Sequence, residues 1–174
     1  MIGHVIISHG LDSGPQATKA TALAGVAESL GWTHDRPDYR PWDQDSSNGR
    51  LGDVGGRILH LLELARCVDR PLVLAGSSMG AFASARVSLH LPVRGLFLMA
   101  PPVQLEGLDV RLEAADVPTR IVHGWDDELI PALEVARWAQ ARRDHCVFVG
   151  DSHRLSEHVQ FCAEEFGRFL QTLA

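Results

Sequence analysis

Short apolar runs rich in β-branched residues alternate along the chain with longer stretches whose apolar positions recur every three or four residues. The first run, His4-Val5-Ile6-Ile7-Ser8, is too short for a helix and stops at His9-Gly10, so it predicts a strand. After a turn at Ser13-Gly14-Pro15, residues Ala20, Leu23, Val26, Ala27 and Leu30 share one helical face, and Gly31 stands where a helix C-cap would. A weaker strand is expected near Trp32 to Asp38, then a polar loop through Tyr39, Pro41, Trp42 and Asn48. Leu51, Val54, Ile58, Leu61, Ala65 and Val68 predict a second helix, weakened in its first half by Gly55 and Gly56. Pro71 to Ala75 reads as a strand, and the small-residue run Ala81-Phe82-Ala83-Ser84-Ala85 as the helix that follows it.

Val93 to Ala100 alternates too little for a surface strand and suits one covered on both faces; Pro101-Pro102 ends it. A strand over Thr119 to His123, a helix from about Pro131 to Arg143 and a last strand, His145 to Val149, come next. The closing helix sets Val159, Cys162, Phe166, Phe169, Leu170 and Leu173 on one face. Strands alternating with amphipathic helices make right-handed crossovers, so the fold class is α/β: a three-layer sandwich with a mostly parallel sheet of about six strands and helices on both faces. At 174 residues the chain is long enough for one domain with a real core, expected to span 1–174.

Charge and cysteine content narrow the partners. The formal net charge is -6 and no lysine or arginine cluster stands out, which leaves neither nucleic acid nor an anionic membrane surface a basic footprint. A small molecule, uncharged or weakly charged, is the expected partner. Cys67, Cys146 and Cys162 are odd in number, lack CxxC spacing and fall in segments that read as buried helix or strand, so they predict structural thiols in a reducing compartment. The first residues lack a positive region followed by a long apolar stretch, and no run is long enough to span a bilayer; a soluble cytoplasmic protein without a cofactor is expected.

Chemistry concentrates just after the strands, where ligands bind in an open parallel sheet. Gly76-Ser77-Ser78-Met79-Gly80 sits between strand and helix, and glycines two residues either side of Ser78 allow a sharp turn that exposes its hydroxyl. Such a hydroxyl needs a histidine as base, and the histidine needs an acid to fix its tautomer. Asp126, Asp127 and Glu128 follow the fifth strand, and His153 the sixth. His158 is placed in the closing helix, and His123 reads as a buried histidine bonded to backbone. A metal site built from Asp151, His153 and His158 is the weaker alternative, because the two histidines lack the i, i+4 spacing of a helical ligand pair.

With Ser78, the acid and His153 in that chain order, a GxSxG after a strand and His9-Gly10 at the end of an earlier one, the chain resembles the α/β-hydrolase superfamily over nearly its whole length. It is most similar to small lidless esterases and thioesterases. The resemblance implies a reduced version of that fold with strand order 2-1-3-4-5-6. Gly124-Trp125-Asp126-Asp127-Glu128-Leu129-Ile130-Pro131 resembles the family's GxxDxxVP pattern, which maps the acid onto Asp127. Residues 150–155 resemble the histidine loop, which makes His153 the base. His9-Gly10-Leu11 resembles the oxyanion loop, implying backbone donors at Leu11 and Met79. Between Pro102 and Pro118 the chain is too short for the helical lid of larger members, so loops must wall the pocket; Tyr39, Trp42, Pro102 and Trp125 are the candidates. The implied activity is hydrolysis of a small carboxylic ester or thioester with no metal, and a non-catalytic binding module on the same fold is the competing expectation.

Overall fold

A computed structural model describes residues 2–174. Six strands, β1 (His4–Ser8), β2 (Thr33–Asp35), β3 (Leu72–Ser77), β4 (Gly95–Met99), β5 (Thr119–Gly124) and β6 (His145–Val149), pair side by side in the order 2-1-3-4-5-6. Every pairing is parallel, with Ser8 opposite Gly76 and Ser77 opposite Met99. The longer helices are α1 (Thr18–Ser29), α3 (Val54–Arg66), α4 (Met79–Ser88), α5 (Ala132–Arg142) and α6 (Val159–Leu173); a short one, α2 (Arg40–Asp43), precedes α3.

The two-residue period of a strand sorts its side chains into two layers. Val5, Ile7, Val73, Ala75, Phe97 and Met99 pack with α1 and α6 on one face. Ile6, Leu72, Leu74, Leu96, Leu98 and Ile121 pack with α3, α4 and α5 on the other. Central strands covered on both sides must be apolar at every position, which is why β3 and β4 read as unbroken runs. Two of the longer helices on one face and three on the other make the expected three-layer sandwich.

Differences from the sequence reading are local. β2 is only three residues long, since Pro37 has no amide to extend the ladder, and Trp32 before it is buried in the core. Asp53 caps α3 by accepting the Gly56 amide at 2.8 Å, which leaves Leu51 before the helix, and the C-cap Cys67 ends it, which leaves Val68 after it. Gly56 weakens an isolated helix yet is required here: a Cβ on it would run into the Trp42 ring, which seats α2 against the first turn of α3. Cys67 corrects the expectation of buried thiols. It follows the last residue of α3 and is exposed, whereas Cys146 is half-buried and Cys162 buried. Burial pushes the Cys146 thiol up to about 12 and that of Cys162 to about 11. Between Pro102 and Pro118 the chain forms no helix, only a single bridge between Gln104 and Arg111. Among the described residues no helix is long and apolar enough to cross a membrane.

Candidate active site

The turn after β3 is tight because two glycines let backbones touch. A Cβ on Gly76 would collide with the Gly80 carbonyl, and one on Gly80 with the main-chain oxygens of Ser8 and His9. Strand β1, strand β3 and helix α4 therefore meet at van der Waals distance only with glycine at both places. Ser78 between them adopts φ 53° and ψ -120°, a conformation that a non-glycine residue takes only when its surroundings impose it. Its amide donates to Met99 O at 2.9 Å, tying the turn to the end of β4.

The ends of β5 and β6 approach as closely. A Cβ on Gly124 would strike the Asp151 carbonyl; the amide of Trp125 donates to Val149 O at 2.8 Å, and that of Asp126 to Asp151 O at 3.1 Å. Asp127 and His153 are thereby brought together. Asp127 Oδ1 accepts from the amides of Leu129 at 2.9 Å and Ile130 at 2.8 Å, which turns Oδ2 toward His153. His153 Nδ1 lies 2.8 Å from that oxygen, and its Nε2 lies 2.9 Å from Ser78 Oγ. Burial opposes ionisation of Asp127, whose side chain has no exposed surface, but the bonds from His153, Ile130 and Leu129 outweigh it and hold the carboxyl below the ordinary range.

The other acids and histidines take different places. Asp126 is exposed, and Glu128 accepts from the His153 main-chain amide at 3.1 Å, so neither touches the imidazole. His123 is fully buried; it donates from Nε2 to Ile130 O at 2.9 Å, and burial lowers its pKa. His158 lies just before α6 and not inside it, with Nδ1 3.0 Å from Asp151 Oδ2. Asp151 also accepts from the amides of Ser152 at 2.7 Å and Glu157 at 3.0 Å, so it fastens both ends of the loop that carries His153. Asp151 and His158 face each other while His153 faces Asp127 and Ser78, so the alternative metal constellation is not assembled.

Residues 9–11 close the arrangement. A Cβ on Gly10 would sit 3.4 Å from Ser78 Cβ, which places the loop beside the serine. His9 is buried: the Tyr39 amide donates to its Nε2 at 3.0 Å, leaving the proton on Nδ1 to reach Gly10 O at 2.7 Å. Burial lowers its pKa and keeps this neutral tautomer. Among the described residues neither the Leu11 nor the Met79 amide donates to a protein acceptor.

The chain matches a candidate hydrolase of the α/β superfamily from Xanthomonas campestris pv. campestris at 53% identity and a TM-score of 0.96, over 98% of this chain and 99% of that one. This chain belongs to the α/β-hydrolase superfamily. An α/β serine hydrolase homologue from Coxiella burnetii is 26% identical with a TM-score of 0.67, over 98% of this chain and 86% of that one. A Xanthomonas campestris protein described as an α/β serine hydrolase without a lid shares the fold at 20% identity and a TM-score of 0.74, over 99% of this chain and 83% of that one. No family model and no curated protein matches the chain.

In this α/β hydrolase the four residues expected to wall a pocket do not act alike. Tyr39 and Pro102 are corrections: both are buried, Tyr39 because its hydroxyl meets Ser8 Oγ at 2.9 Å and needs no water. Burial pushes its phenol up to about 12. Trp42 is half-buried and stacks on His60 with ring centroids 4.3 Å apart. Trp125 is 54% exposed, resting on Phe148 at 4.5 Å, and offers an apolar surface two residues from Asp127. A cavity of about 570 Å³ opens between residues 48–55, which lead into the first turn of α3, and residues 106–108 in the loop after β4, and includes none of Ser78, Asp127 or His153. Sequence reasoning weighed Glu128 and Asp151 in other roles and missed Asp43 and Arg57; the contacts of Glu128, Asp43 and Arg57 span 14 to 48 positions.

Proposed function

We propose that this α/β hydrolase is a serine hydrolase that cleaves small carboxylic esters or thioesters through an acyl-enzyme on Ser78. One observation carries the reading: the unbroken hydrogen-bond chain from Ser78 Oγ through both ring nitrogens of His153 to Asp127. With Asp127 ionised, the His153 proton stays on Nδ1 and Nε2 is free to accept. Ser78 Oγ attacks the carbonyl carbon as its proton passes to Nε2, and the oxyanion meets the amides of Leu11 and Met79. The imidazolium returns that proton to the leaving alkoxide or thiolate. Water, deprotonated by the same nitrogen, then attacks the acyl-enzyme and regenerates Ser78 with release of the acid.

The short, helix-free stretch after β4 supports small substrates, since little apolar surface stands over the serine to wrap a long chain. Ser78→Ala tests the reading. It should lower hydrolysis of p-nitrophenyl acetate by roughly ten-thousand-fold or more, as loss of a triad nucleophile does. An unchanged rate would overturn Ser78 as the nucleophile, and a wild type without hydrolysis would point to the binding-module alternative.

A further inference from the structure

Behind the Leu11 amide lies a buried polar network that the reaction as described leaves without a task. The side chain of Arg57, in the first turn of α3, is 1% exposed, and that of Asp43, at the end of α2, is 5% exposed. Arg57 Nη1 donates to Asp43 Oδ1 at 2.6 Å, its Nη2 donates to the main-chain oxygen of His9, and its guanidinium lies 4.3 Å from the Tyr39 ring centre. Arg57 Nε and Asp43 Oδ2 are buried without a partner. A buried ion pair is a poor source of stability, because desolvation of both charges offsets their attraction and an apolar pair of similar volume often does as well. Its placement on one carbonyl at the edge of the oxyanion loop asks for another reason.

Peptide geometry supplies one. A trans peptide is planar, so fixing its carbonyl fixes the N–H on the far side of the same unit. Arg57 holds the His9 carbonyl and so sets the unit joining His9 to Gly10. The His9 ring holds the Gly10 carbonyl and so sets the unit joining Gly10 to Leu11, whose N–H is the hole donor. Gly10 between them is free of side-chain restraint and would otherwise swing. We propose that Arg57, held in place by Asp43, is a positioning residue for the oxyanion hole: it clamps the peptide before Gly10, so that the Leu11 amide is aimed before substrate arrives. The inference rests on the serine hydrolase reading. Preorganised donors stabilise an oxyanion because nothing has to reorient when charge develops.

The test compares Arg57→Met, Arg57→Lys and Asp43→Asn with the wild type, each held well below its unfolding temperature. Turnover of p-nitrophenyl acetate and affinity for a phenylboronic acid, whose tetrahedral Ser78 adduct puts an oxygen in the hole, are both measured. Arg57→Met should lower kcat by about ten- to a hundredfold with KM within about twofold, and weaken the boronate by a similar factor. Arg57→Lys should recover only part, since one ammonium lacks the planar fork that serves two partners. A purely structural role would lower the unfolding temperature and leave both kcat and boronate affinity within about twofold, which overturns the inference. Should neither Arg57 variant fold, Asp43→Asn must show the same kcat-selective loss, and an unchanged kcat there overturns it equally. A wild type without hydrolysis and without fluorophosphonate label at Ser78 overturns the hydrolase reading and this inference together. An active wild type with unaffected variants overturns the inference alone.

Discussion

Asp127→Asn tests how the acid acts, because the structure limits what an asparagine can do there. Asp127 Oδ1 accepts from two backbone amides, at 2.9 Å and 2.8 Å, inside a fully buried carboxylate. An asparagine that keeps its oxygen on those amides turns its NH₂ toward His153 Nδ1, which forces the imidazole proton onto Nε2, where it blocks acceptance from Ser78. Flipping the amide restores the tautomer but leaves the Leu129 and Ile130 N–H groups, which point at the buried side chain, facing a donor. At about 1–3 kcal/mol for each unsatisfied group, the flip costs about 2–6 kcal/mol. With one decade of rate per 1.36 kcal/mol, kcat should fall roughly 30- to 25,000-fold. Steady-state hydrolysis of p-nitrophenyl acetate, with thermal unfolding to confirm a folded variant, measures it; Asp126→Asn is the control and should stay within about twofold. A folded Asp127→Asn within about fivefold of wild type, or an equal loss in the control, would refute the reasoning.

Asp127 also links stability to pH. Its folded pKa is depressed, so its contribution is complete above the unfolded value of about 3.9 and is lost as pH falls through the lower folded value. Chemical denaturation below about pH 4 should therefore show wild type losing stability more steeply than Asp127→Asn, and parallel slopes would contradict this. Ellman's reagent should modify Cys67 rapidly in the native protein and reach Cys146 and Cys162 only in denaturant; fast reaction of a second thiol would show a looser fold around α6 or β6. Across p-nitrophenyl esters kept monomeric in solution, kcat/KM should peak at acyl lengths of about two to six carbons. An enclosing tunnel would instead add about 0.8 kcal/mol per methylene and give a steady rise toward palmitate.

How much of this was readable before the structure depended on whether the cause was local. Strands β3 and β4 announce themselves because burial on both faces demands unbroken apolar runs, and α6 because its apolar face repeats every three to four residues. Helix α2 is four residues long, too short to carry a period, and is set by the seating of Trp42 on Gly56. Tyr39 looked like a wall for the pocket because nothing in the chain reveals that Ser8 satisfies its hydroxyl from 31 positions away. Arg57 lies in a helical stretch where arginine ordinarily faces water; its burial depends on Asp43 and on the His9 carbonyl, both remote in sequence. Asp127, by contrast, was separable from Asp126 and Glu128 through the resemblance of its turn to the family pattern, and the two amides that fix its rotamer are only two and three residues on.

Labelling the wild-type protein with a fluorophosphonate and mapping the modified peptide tests the central claim most directly. Ser78, half-buried with its Oγ 2.9 Å from His153 Nε2, should take one label, and Ser78→Ala should take none. Absence of label on the folded wild type, or label on Ser77, would contradict the assignment of Ser78 as the nucleophile.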